Sequence, residues 1–444
     1  MHLKQLANIV NGKLVGKSID FEGFSIDTRS ISNNQIYIAL IGKNFDGHRF
    51  LEEAQLKGAA AVIVNKIDQL DIPQLVVDDT LGFIKEVANH NRTQYEGKMI
   101  GITGTNGKTS TKQITYSLLD NNGTCHKTTG NMNNQIGVPF SLLSLENHHH
   151  YSVIEMGTSE PGEIEVLTNH VRPDIAAITN VSMGHLEGLT DTDCIASEKG
   201  NILDFHTDLG VAFLPSDSDY LDQWKKSTNA KDILTFGFDK YSDFRVSDIN
   251  INVENNLTNF RFSFDGQNEE LVINGIGSHS ALNATLSSGI AIYCGEGIDK
   301  IAERLTSVEL PQRRLSVFRS LYNSILIDDT YNSNPASLIN ALDSIQESTK
   351  KKICVLGVMK ELGERSVEIH QEMYDYANEI TDQILLVGDI WTSIDVDKTD
   401  SVLIFDDHEE IYDYLVSVLD ENTILLVKGS RSTRMDLIAD KLKL

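Results

Sequence analysis

A glycine-rich stretch, GTNGKT at 104–109, has the residue types and the order of a phosphate-binding loop. Glycines allow backbone N–H groups to turn towards phosphate oxygens. Lys108 brings a positive charge to the β and γ oxygens, and Thr109 offers a hydroxyl to Mg²⁺. The strict pattern has a glycine where this chain has Ile102. These residues predict a site for a magnesium-bound nucleotide.

The residues on both sides of the loop predict the two elements that such a loop requires. The apolar run at 99–102 indicates a buried strand. After the loop, Ile114, Leu118 and Leu119 lie on one stripe of a helix that we expect to end at Gly123. An ordinary turn between a strand and a helix also accommodates Gly-Lys-Thr. Because both flanking elements are in place, the phosphate-binding interpretation is favoured.

Two further predicted strands each carry a polar residue near the carboxyl end. Glu155 lies within YSVIEMG, and His185 follows DIAAITNVSMG. Ligands of parallel sheets bind at the carboxyl ends of strands, so we expect both side chains near the phosphate loop. A loop histidine is more often held by structural hydrogen bonds than by a ligand. A buried carboxylate, by contrast, is costly unless it is paired or bound to a metal.

The composition favours a protein that handles small charged ligands. The 444 residues carry 38 Lys and Arg against 64 Asp and Glu, a net charge of −26, which argues against affinity for nucleic acid or anionic membranes. The four cysteines are far apart and indicate a reducing compartment rather than disulfides or a zinc site. The polar start MHLKQLANIV and the lack of an apolar run of about 20 residues predict a soluble cytoplasmic protein.

Length and pattern predict an α/β protein of three domains. Residues 1–95 combine short strands with helices in a smaller N-terminal α/β domain. Residues 96–310 form a central parallel-sheet domain with the phosphate loop and a β-rich insert of alternating strands at about 208–275. Residues 311–444 alternate five apolar strands with helices, which predicts a Rossmann-like α/β domain.

Several polar loops have two interpretations from their residues alone. In the N-terminal domain, 27–29 and 42–48 have groups suited to an anionic or sugar-like ligand, but a surface ion pair and a plain turn are the simpler explanation. The asparagines of GNMNNQIG, at 130–137, either contact a substrate or cap turns. The strand ends near Asp329 and Lys428 either close over an anion or lie in solvated loops.

Together these motifs resemble the Mur ligase family of peptidoglycan synthesis. They follow the family order over nearly the whole chain: GITGTNGKTSTK, GNMNNQIGVP, VIEMGTSEPGEI, ITNVSMGHLEG, SEKGNI, LNATLSS, LPQRRL, DDTYNSNP and VKGSRSTRMD. Within the family, SIDTRS, GKNFDGH, GNMNNQIGVP and DDTYNSNP are similar to the branch that adds D-alanyl-D-alanine. The branch that adds the third residue usually has DNPR, and this chain has VMKELGERS in the comparable region.

The resemblance implies ATP and Mg²⁺ as cofactors. Lys199, for which spacing alone indicates a solvated side chain, matches the family's carbamylated lysine. Arg314, chosen rather than Arg313 for its spacing to Asp329, matches a nucleotide-contacting arginine at the domain junction. The implied ATP contacts are Gly104, Thr105, Asn106, Gly107, Lys108, Thr109, Ser110, Asn283 (at the adenine), Arg314 and Asp329. The implied Mg²⁺ ligands are Thr109, Glu155, His185 and Lys199 as its carbamate, and the implied catalytic residues are Lys108, Glu155, His185 and Lys199.

The implied reaction joins D-alanyl-D-alanine to UDP-MurNAc-tripeptide through an acyl phosphate at the expense of ATP. Both nucleophiles come from the substrates, so the protein has to align and neutralise the reactants. We expect a monomer that binds no nucleic acid and does not insert into membranes. The implied contacts to the UDP end are Thr28, Arg29, Asn44, Phe45, Asp46 and His48. Those to the rest of the substrates are Asn133, Asn134, Thr158, Asn332, Lys428, Ser430 and Arg431.

Other functions remain open from the sequence. A ligase that adds the third amino acid, or one that adds glutamate to folate, would share the loop and differ in its acceptor. A nucleotide-hydrolysing switch would also have the loop, although the NKxD guanine signature is absent. A sensor without catalysis is disfavoured because Thr109, Glu155 and His185 are all present.

Overall fold

A computed structural model of the protein describes residues 2–42, 44–184, 186–207, 210–396, 399 and 401–444. His185 lies outside these residues, and its role stays a prediction from sequence. Helices and strands both occur throughout the described chain. The helices are α1 (Leu3–Ile9), α2 (Leu51–Leu56), α3 (Thr80–Gln94), α4 (Lys108–Leu119), α5 (Gly137–Leu142), α6 (Glu163–Val171), α7 (Leu186–Leu189), α8 (Thr192–Gly200), α9 (Leu221–Ser227), α10 (Ser278–Tyr293), α11 (Ile298–Ser307), α12 (Pro335–Gln346), α13 (Ser366–Ile380), α14 (His408–Val418) and α15 (Asp436–Leu442).

The strands are mostly short and apolar. They are β1 (Lys13–Val15), β2 (Phe24–Ser25), β3 (Ile36–Ile38), β4 (Ile41–Gly42), β5 (Phe45–Asp46), β6 (Ala61–Val64), β7 (Gln74–Val76), β8 (Lys98–Thr103), β9 (Cys125–Lys127), β10 (Tyr151–Glu155), β11 (Ile175–Ile178), β12 (Val211–Pro215), β13 (Asp232–Gly237), β14 (Phe244–Asn252), β15 (Leu257–Phe264), β16 (Gln267–Asn274), β17 (Ser316–Arg319), β18 (Ile325–Asp329), β19 (Lys351–Leu356), β20 (Gln383–Val387), β21 (Val402–Phe405) and β22 (Thr423–Lys428).

The chain folds into two compact units. The first contains 1–101, 121–156 and 165–173, and the second contains 102–120, 157–164 and 174–444. In the first unit, a sheet has the strand order β1-β7-β6-β3-β2, in which only β1 is antiparallel to its neighbour. Tyr37, Leu51 and Val62 belong to a buried apolar cluster of this unit. β9 and β10 of the same unit pair in parallel.

β8 passes from the first unit into the second after Gly101. In the second unit its last residue, Thr103, accepts a hydrogen bond from the N–H of Thr179, just after β11. The strands then follow in the order β11-β12-β13-β14-β15-β16. β11 to β14 are parallel, and β14 to β16 are antiparallel. The parallel sheet expected around the phosphate loop is therefore present.

The predicted β-rich insert at about 208–275 is wrong in its first half. β12 and β13 are parallel strands that continue the order from β11. All five residues of β12 are buried, which is typical of a strand covered on both faces. The alternation of buried and more exposed residues begins only at β14. The pattern of β14 to β16 is that of strands with one solvated face, as expected from the sequence.

The C-terminal part of the second unit has a sheet of its own, with the order β17-β18-β22-β19-β20-β21. The five apolar strands expected from the sequence are β18 to β22, and they are all parallel. β17, at the edge and antiparallel to β18, was not predicted because its four residues have no buried apolar run. Leu326 and Ile327 of β18 enter two different buried clusters, so both faces of the sheet are covered.

The helix after the phosphate loop ends earlier than its sequence suggests. α4 ends at Leu119, and Asp120 already has extended backbone angles. Gly123 instead lies in the turn before β9, where it and Asn122 have positive φ. Glycine marks the left-handed position of a turn here rather than the helix end.

Candidate active site

The phosphate loop connects β8 to α4 within the second unit. Gly104 has φ +149°, and a Cβ on it would lie 1.8 Å from Thr179 Oγ1. Gly107 has φ +80° and precedes α4, which begins without a side-chain cap. Glycine is therefore required at both positions, by space and by backbone conformation. A helix that begins in this way presents its first N–H groups to an anion.

The segment after β11 holds the loop in place. The N–H groups of Thr105 and Asn106 donate to the carbonyl and side-chain oxygens of Asn180, each at 3.0 Å. The carbonyl of Asn106 accepts from Thr179 Oγ1 at 2.6 Å and from Asn180 Nδ2 at 3.1 Å. Thr105 Oγ1 donates to the carbonyl of Ser182 at 3.2 Å. These hydrogen bonds fix the loop against the segment after β11.

Two cations lie on the loop. Lys108 Nζ donates to two loop carbonyl oxygens at 2.7 and 3.0 Å. The hydroxyl of Thr109, which is buried, accepts from Arg314 Nη2 at 3.1 Å. The guanidinium of Arg314 lies 4.0 Å from the centre of the Tyr331 ring, an arrangement typical of a cation–π contact. Positive charge is concentrated where a polyphosphate would bind.

The N-terminal half of α10 lies beside the same loop. Asn283 is buried, and its Oδ1 accepts a hydrogen bond from Thr111 Oγ1 at 3.3 Å. A Cβ on Gly107 would lie 2.6 Å from this Oδ1. The residue predicted to contact the nucleotide base is therefore packed against the start of α4.

Lys199 on α8 is almost completely buried. Burial lowers the pKa of its amine well below the usual range, and the charge of Lys108 lowers this pKa further, while Glu198 opposes the shift. Folding therefore shifts this amine towards its neutral form. The neutral form is also the one that can react with CO₂. The expectation of a solvated side chain, which rested on spacing alone, is wrong.

Glu198, next to Lys199, organises the loop before α6. Its two carboxylate oxygens accept from the N–H groups of Gly162 and Ile164, both at 2.7 Å. Thr158 Oγ1 lies 3.4 Å from Glu198 Oε1 and donates to the carbonyl of Glu160 at 2.9 Å. A buried carboxylate at a helix start is favoured by the helix dipole. Glu198 therefore fixes the segment that carries Thr158.

A buried ion pair joins two strand ends of the C-terminal sheet. Lys428 Nζ donates to Asp329 Oδ2 at 2.5 Å and to the carbonyl of Asn332 at 3.0 Å. Ser430 is buried, and its Oγ accepts from the N–H of Lys360 at 2.9 Å. Arg431 has an exposed side chain, 3.1 Å from Asp436. Lys428 and Asp329 are thus in contact with each other rather than in solvated loops.

Glu155 and its neighbours lie in the first unit. The carboxylate is buried, and its Oε1 accepts from Asn133 Nδ2 at 2.8 Å. Asn134 Oδ1 accepts from the N–H of Gly137 at 2.8 Å, at the start of α5. The two asparagines therefore have different roles. Asn134 caps a turn, and Asn133 orients the carboxylate.

The residues predicted to contact UDP form short local contacts in the first unit. Arg29 and Asp27 form an ion pair at 2.6 Å with the Arg29 side chain 86% exposed, which agrees with the simpler explanation from sequence. Hydrogen bonds from Arg29 lower the pKa of Asp27 to about 2. His48 Nδ1 donates to Asp46 Oδ1 at 2.8 Å, and its Nε2 accepts from the N–H of Asn65 at 3.3 Å. This pair of contacts fixes the tautomer of His48.

The other three predicted UDP contacts differ in exposure. Thr28 is buried, and its carbonyl accepts from Lys57 Nζ at 3.0 Å. Asn44 is exposed in the turn between β4 and β5. Phe45 is about half exposed and stacks on Phe50 with ring centres 5.6 Å apart. An exposed aromatic face next to hydrogen-bonding groups suits a nucleobase or sugar.

Comparison with known proteins identifies the family. Residues 20–96 match the Mur ligase family catalytic domain, 102–291 the Mur ligase middle domain, and 313–431 the Mur ligase glutamate ligase domain. UDP-N-acetylmuramoyl-tripeptide–D-alanyl-D-alanine ligase of Buchnera aphidicola subsp. Acyrthosiphon pisum (strain APS) is 34% identical over 448 residues, covering 100% of this chain and 98% of that protein. The chain belongs to the Mur ligase family.

Solved structures of this family agree in fold. A crystal structure of MurF from Acinetobacter baumannii aligns with a TM-score of 0.87 and 28% identity, covering 99% of this chain and 98% of that one. MurF from Thermotoga maritima in complex with ADP aligns with a TM-score of 0.81 and 28% identity, covering 94% and 96%. The three-domain α/β architecture predicted from the sequence is confirmed.

No cluster of three or more His, Cys, Asp or Glu side chains that could hold a metal ion occurs among the residues of this Mur ligase that the structure describes. The predicted Mg²⁺ ligands are of a different kind, because they include a hydroxyl and a carbamate. Taken one by one, Thr109 has a buried hydroxyl, Glu155 a buried carboxylate and Lys199 a buried amine, which are the groups that these predicted ligands require. The fourth predicted ligand, His185, lies outside the described ranges.

Sequence reasoning about this Mur ligase missed residues that act through other residues. Glu198 and Asn180 were not predicted as site residues, although both hold segments that carry predicted ones. Asn334 was also missed, and its side chain contacts Asn106 of the phosphate loop. α8 has the mixed sequence TDCIASEKG, which gave no local signal for the role of Glu198. The sequence around Asn334 indicates a helix cap, and it gives no sign of the contact with Asn106.

Proposed function

We propose that this Mur ligase joins D-alanyl-D-alanine to UDP-MurNAc-tripeptide with hydrolysis of ATP to ADP and phosphate, giving UDP-MurNAc-pentapeptide for peptidoglycan synthesis. The single observation that carries this is a phosphate loop with Gly107, Lys108 and Thr109 in place, whose Thr109 hydroxyl is contacted by Arg314 of the C-terminal part. The relatives described above, which have this activity in their names, are similar over nearly their whole lengths.

ATP would lie on the loop and the first turn of α4. The first turn of α4 would supply N–H groups, the Lys108 ammonium and the Thr109 hydroxyl, and Asn283 would lie at the base. Arg314, which contacts Thr109, would also lie at the phosphates. Asp329, which is paired with Lys428, would also contact the nucleotide. Catalysis then consists of alignment and charge neutralisation, as is general for phosphoryl transfer.

Mg²⁺, when bound, would neutralise the charge that develops on the phosphate oxygens. Thr109, Glu155, His185 and Lys199 are its proposed ligands. Lys199 would serve as a carbamate, which forms when the neutral amine adds to CO₂ and releases one proton. Burial of Lys199 supports this role, because burial lowers the pKa of the amine and so raises the share of its neutral form. Asn133 would keep the Glu155 carboxylate in position.

The chemistry requires no nucleophile from the protein. A carboxylate oxygen of the tripeptide attacks the γ-phosphorus, the bond to the ADP oxygen breaks, and an acyl phosphate forms. The amine of D-alanyl-D-alanine then attacks the carbonyl carbon. The tetrahedral intermediate expels phosphate and loses a proton, which leaves the amide. Exclusion of water would protect the acyl phosphate.

The remaining substrate contacts are proposed from their positions. Thr28, Arg29, Asn44, Phe45, Asp46 and His48 would bind the UDP end. The peptide substrates would contact Asn133, Asn134, Thr158, Asn332, Lys428, Ser430 and Arg431. Among these, Lys428 and Asn134 already have structural partners. We expect Arg431, whose exposed guanidinium lies 3.1 Å from Asp436, rather than the buried Lys428, to be the cation that meets the incoming carboxylate.

We further propose domain boundaries at 1–95, 96–310 and 311–444, a monomeric state and a cytoplasmic location. No described helix is both long enough and apolar enough to span a bilayer. All four cysteines are free thiols, which suits a reducing compartment.

The test is ADP release by the purified protein with different acceptors. ATP, Mg²⁺, UDP-MurNAc-tripeptide and D-alanyl-D-alanine together should give ADP in proportion to pentapeptide product. Omission of either peptide substrate should reduce ADP release to background. ADP release that instead requires UDP-MurNAc-dipeptide and a diamino acid, or folate and glutamate, would support a related ligase. Equal release without any acceptor would support a nucleotide-hydrolysing switch.

A further inference from the structure

Two asparagines 228 residues apart in sequence face each other as an amide pair. Asn106 Nδ2 donates to Asn334 Oδ1 at 3.2 Å, and Asn334 Nδ2 donates to Asn106 Oδ1 at 2.9 Å. Asn106 is in the phosphate loop, and Asn334 immediately precedes α12 of the C-terminal part. Both side chains are half-buried. The pair therefore connects the loop directly to a helix of the other sheet.

Each asparagine is held by further hydrogen bonds. Asn106 Nδ2 also donates to Ser182 Oγ at 3.2 Å. Asn334 Oδ1 caps α12 by accepting from the N–H of Ser337 at 2.9 Å, and Ser337 Oγ accepts in return from the N–H of Asn334 at 3.0 Å. Pro335 occupies the first helical position. Neither amide can rotate without loss of another contact, so the pair is well oriented.

Capping of α12 does not by itself explain asparagine at 334. Serine, aspartate and asparagine cap helices about equally well through an oxygen. Only asparagine also offers an amide nitrogen, and here that nitrogen donates to Asn106. The residue type is thus explained by the contact to the phosphate loop together with the cap.

We propose that Asn334 is a positioning residue for the reaction. Through Asn106 it sets the phosphate loop against the C-terminal part in the arrangement in which Arg314 contacts Thr109. Loss of the amide pair leaves the loop and α12 folded but weakens their alignment. This inference rests on the proposed ligase function, since alignment of ATP matters only for a reaction at the loop.

A double-mutant cycle tests the pair. Asn334→Ser keeps an oxygen for the cap but is too short to reach Asn106, and Asn106→Ala removes the other partner. We expect each single variant to lower kcat for ligation about tenfold, the equivalent of about one hydrogen bond. The double variant should be no slower than the slower single variant, because both substitutions remove the same contact.

Ser337→Ala is the matched control. It removes half of the α12 cap and leaves the amide pair, so it should lower the melting temperature without lowering kcat. In the double variant with Asn106→Ala, the two changes in melting temperature should add, and kcat should equal that of Asn106→Ala alone. Asn334→Asp, which caps well but cannot donate, serves as a second variant if Asn334→Ser folds poorly. Additive effects of Asn106→Ala and Asn334→Ser, or unchanged kcat in both, would overturn the proposal.

Hydrogen exchange distinguishes this inference from the proposed function. In the absence of substrates, the segment 104–109 should exchange about tenfold faster in Asn334→Ser than in Ser337→Ala. If the unmodified protein forms no pentapeptide, the ligase function is wrong, and the exchange result still supports or contradicts the amide pair. Equal exchange in the two variants would contradict the pair even if ligation occurs.

Discussion

Glu198 supports the loop before α6 through hydrogen bonds that a glutamine cannot reproduce. Its two oxygens accept from the N–H groups of Gly162 and Ile164 at 2.7 Å each, and Asn201 Nδ2 lies 3.3 Å from one of them. In Glu198→Gln, one of the two backbone donors would face an NH₂ group. An orphaned buried donor costs about 1–3 kcal/mol, and the other bond loses the gain from charge.

We therefore expect the segment at 160–165 to be about 2 kcal/mol less stable against local opening in Glu198→Gln. Because every 1.4 kcal/mol is a factor of ten, its amides should exchange about thirtyfold faster. Hydrogen exchange read by mass spectrometry measures this directly. It does not require that a chain of this size unfold in a single step.

Glu165→Gln is the matched control, since Glu165 is exposed and lies on α6, the helix that follows the supported loop. It changes the net charge equally and should leave exchange of the segment within about twofold, as most surface substitutions do. If Glu198→Gln behaves like this control, Glu198 does not carry the loop, and its proposed support of Thr158 is wrong. Faster exchange throughout the chain would indicate general destabilisation instead.

Three further predictions concern the site itself. Lys199→Ala should lower kcat at least about a hundredfold and recover in part with added short carboxylic acids, because an external carboxylate can replace the carbamate; full activity in the variant would refute the metal-placing role. Gly104→Ala should weaken binding of an ATP analogue more than tenfold in calorimetry, because the new Cβ would collide with Thr179. The control Gly123→Ala, with nothing within 4 Å of its Cβ, should bind the analogue normally. Asp329→Asn should lower the free energy of unfolding of the C-terminal part by about 3–5 kcal/mol in denaturant titrations, because Lys428 would be left buried without its counter-ion; a change below about 1 kcal/mol would contradict the buried pair.

Much of the fold follows from local pattern. The strands β18 to β22 are short apolar runs, so each is recognisable without its neighbours. The phosphate loop is equally local, because Gly104 and Gly107 act through their own backbone angles. β17 was missed because an edge strand of four residues has little apolar pattern. The end of α4 was misplaced because Gly123 has a positive φ in a turn rather than at the helix end.

Site residues could be predicted from the sequence only where they belong to a local motif with one chemical use. Lys108 and Thr109 follow from the loop motif, but spacing gave Lys199 no role, since burial depends on contacts far away in sequence. The Asn106–Asn334 pair is beyond local reasoning for the same reason. The resemblance to Mur ligases supplied Lys199 through the motif SEKGNI.

The central claim is that the tripeptide carboxylate becomes an acyl phosphate on the loop and is then captured by D-alanyl-D-alanine. Tripeptide labelled with ¹⁸O in its terminal carboxylate tests this most directly, with mass spectrometry of the released phosphate. The account predicts one ¹⁸O atom in phosphate for each pentapeptide formed, since phosphate leaves with one carboxylate oxygen. Phosphate that contains no label while pentapeptide accumulates would contradict it.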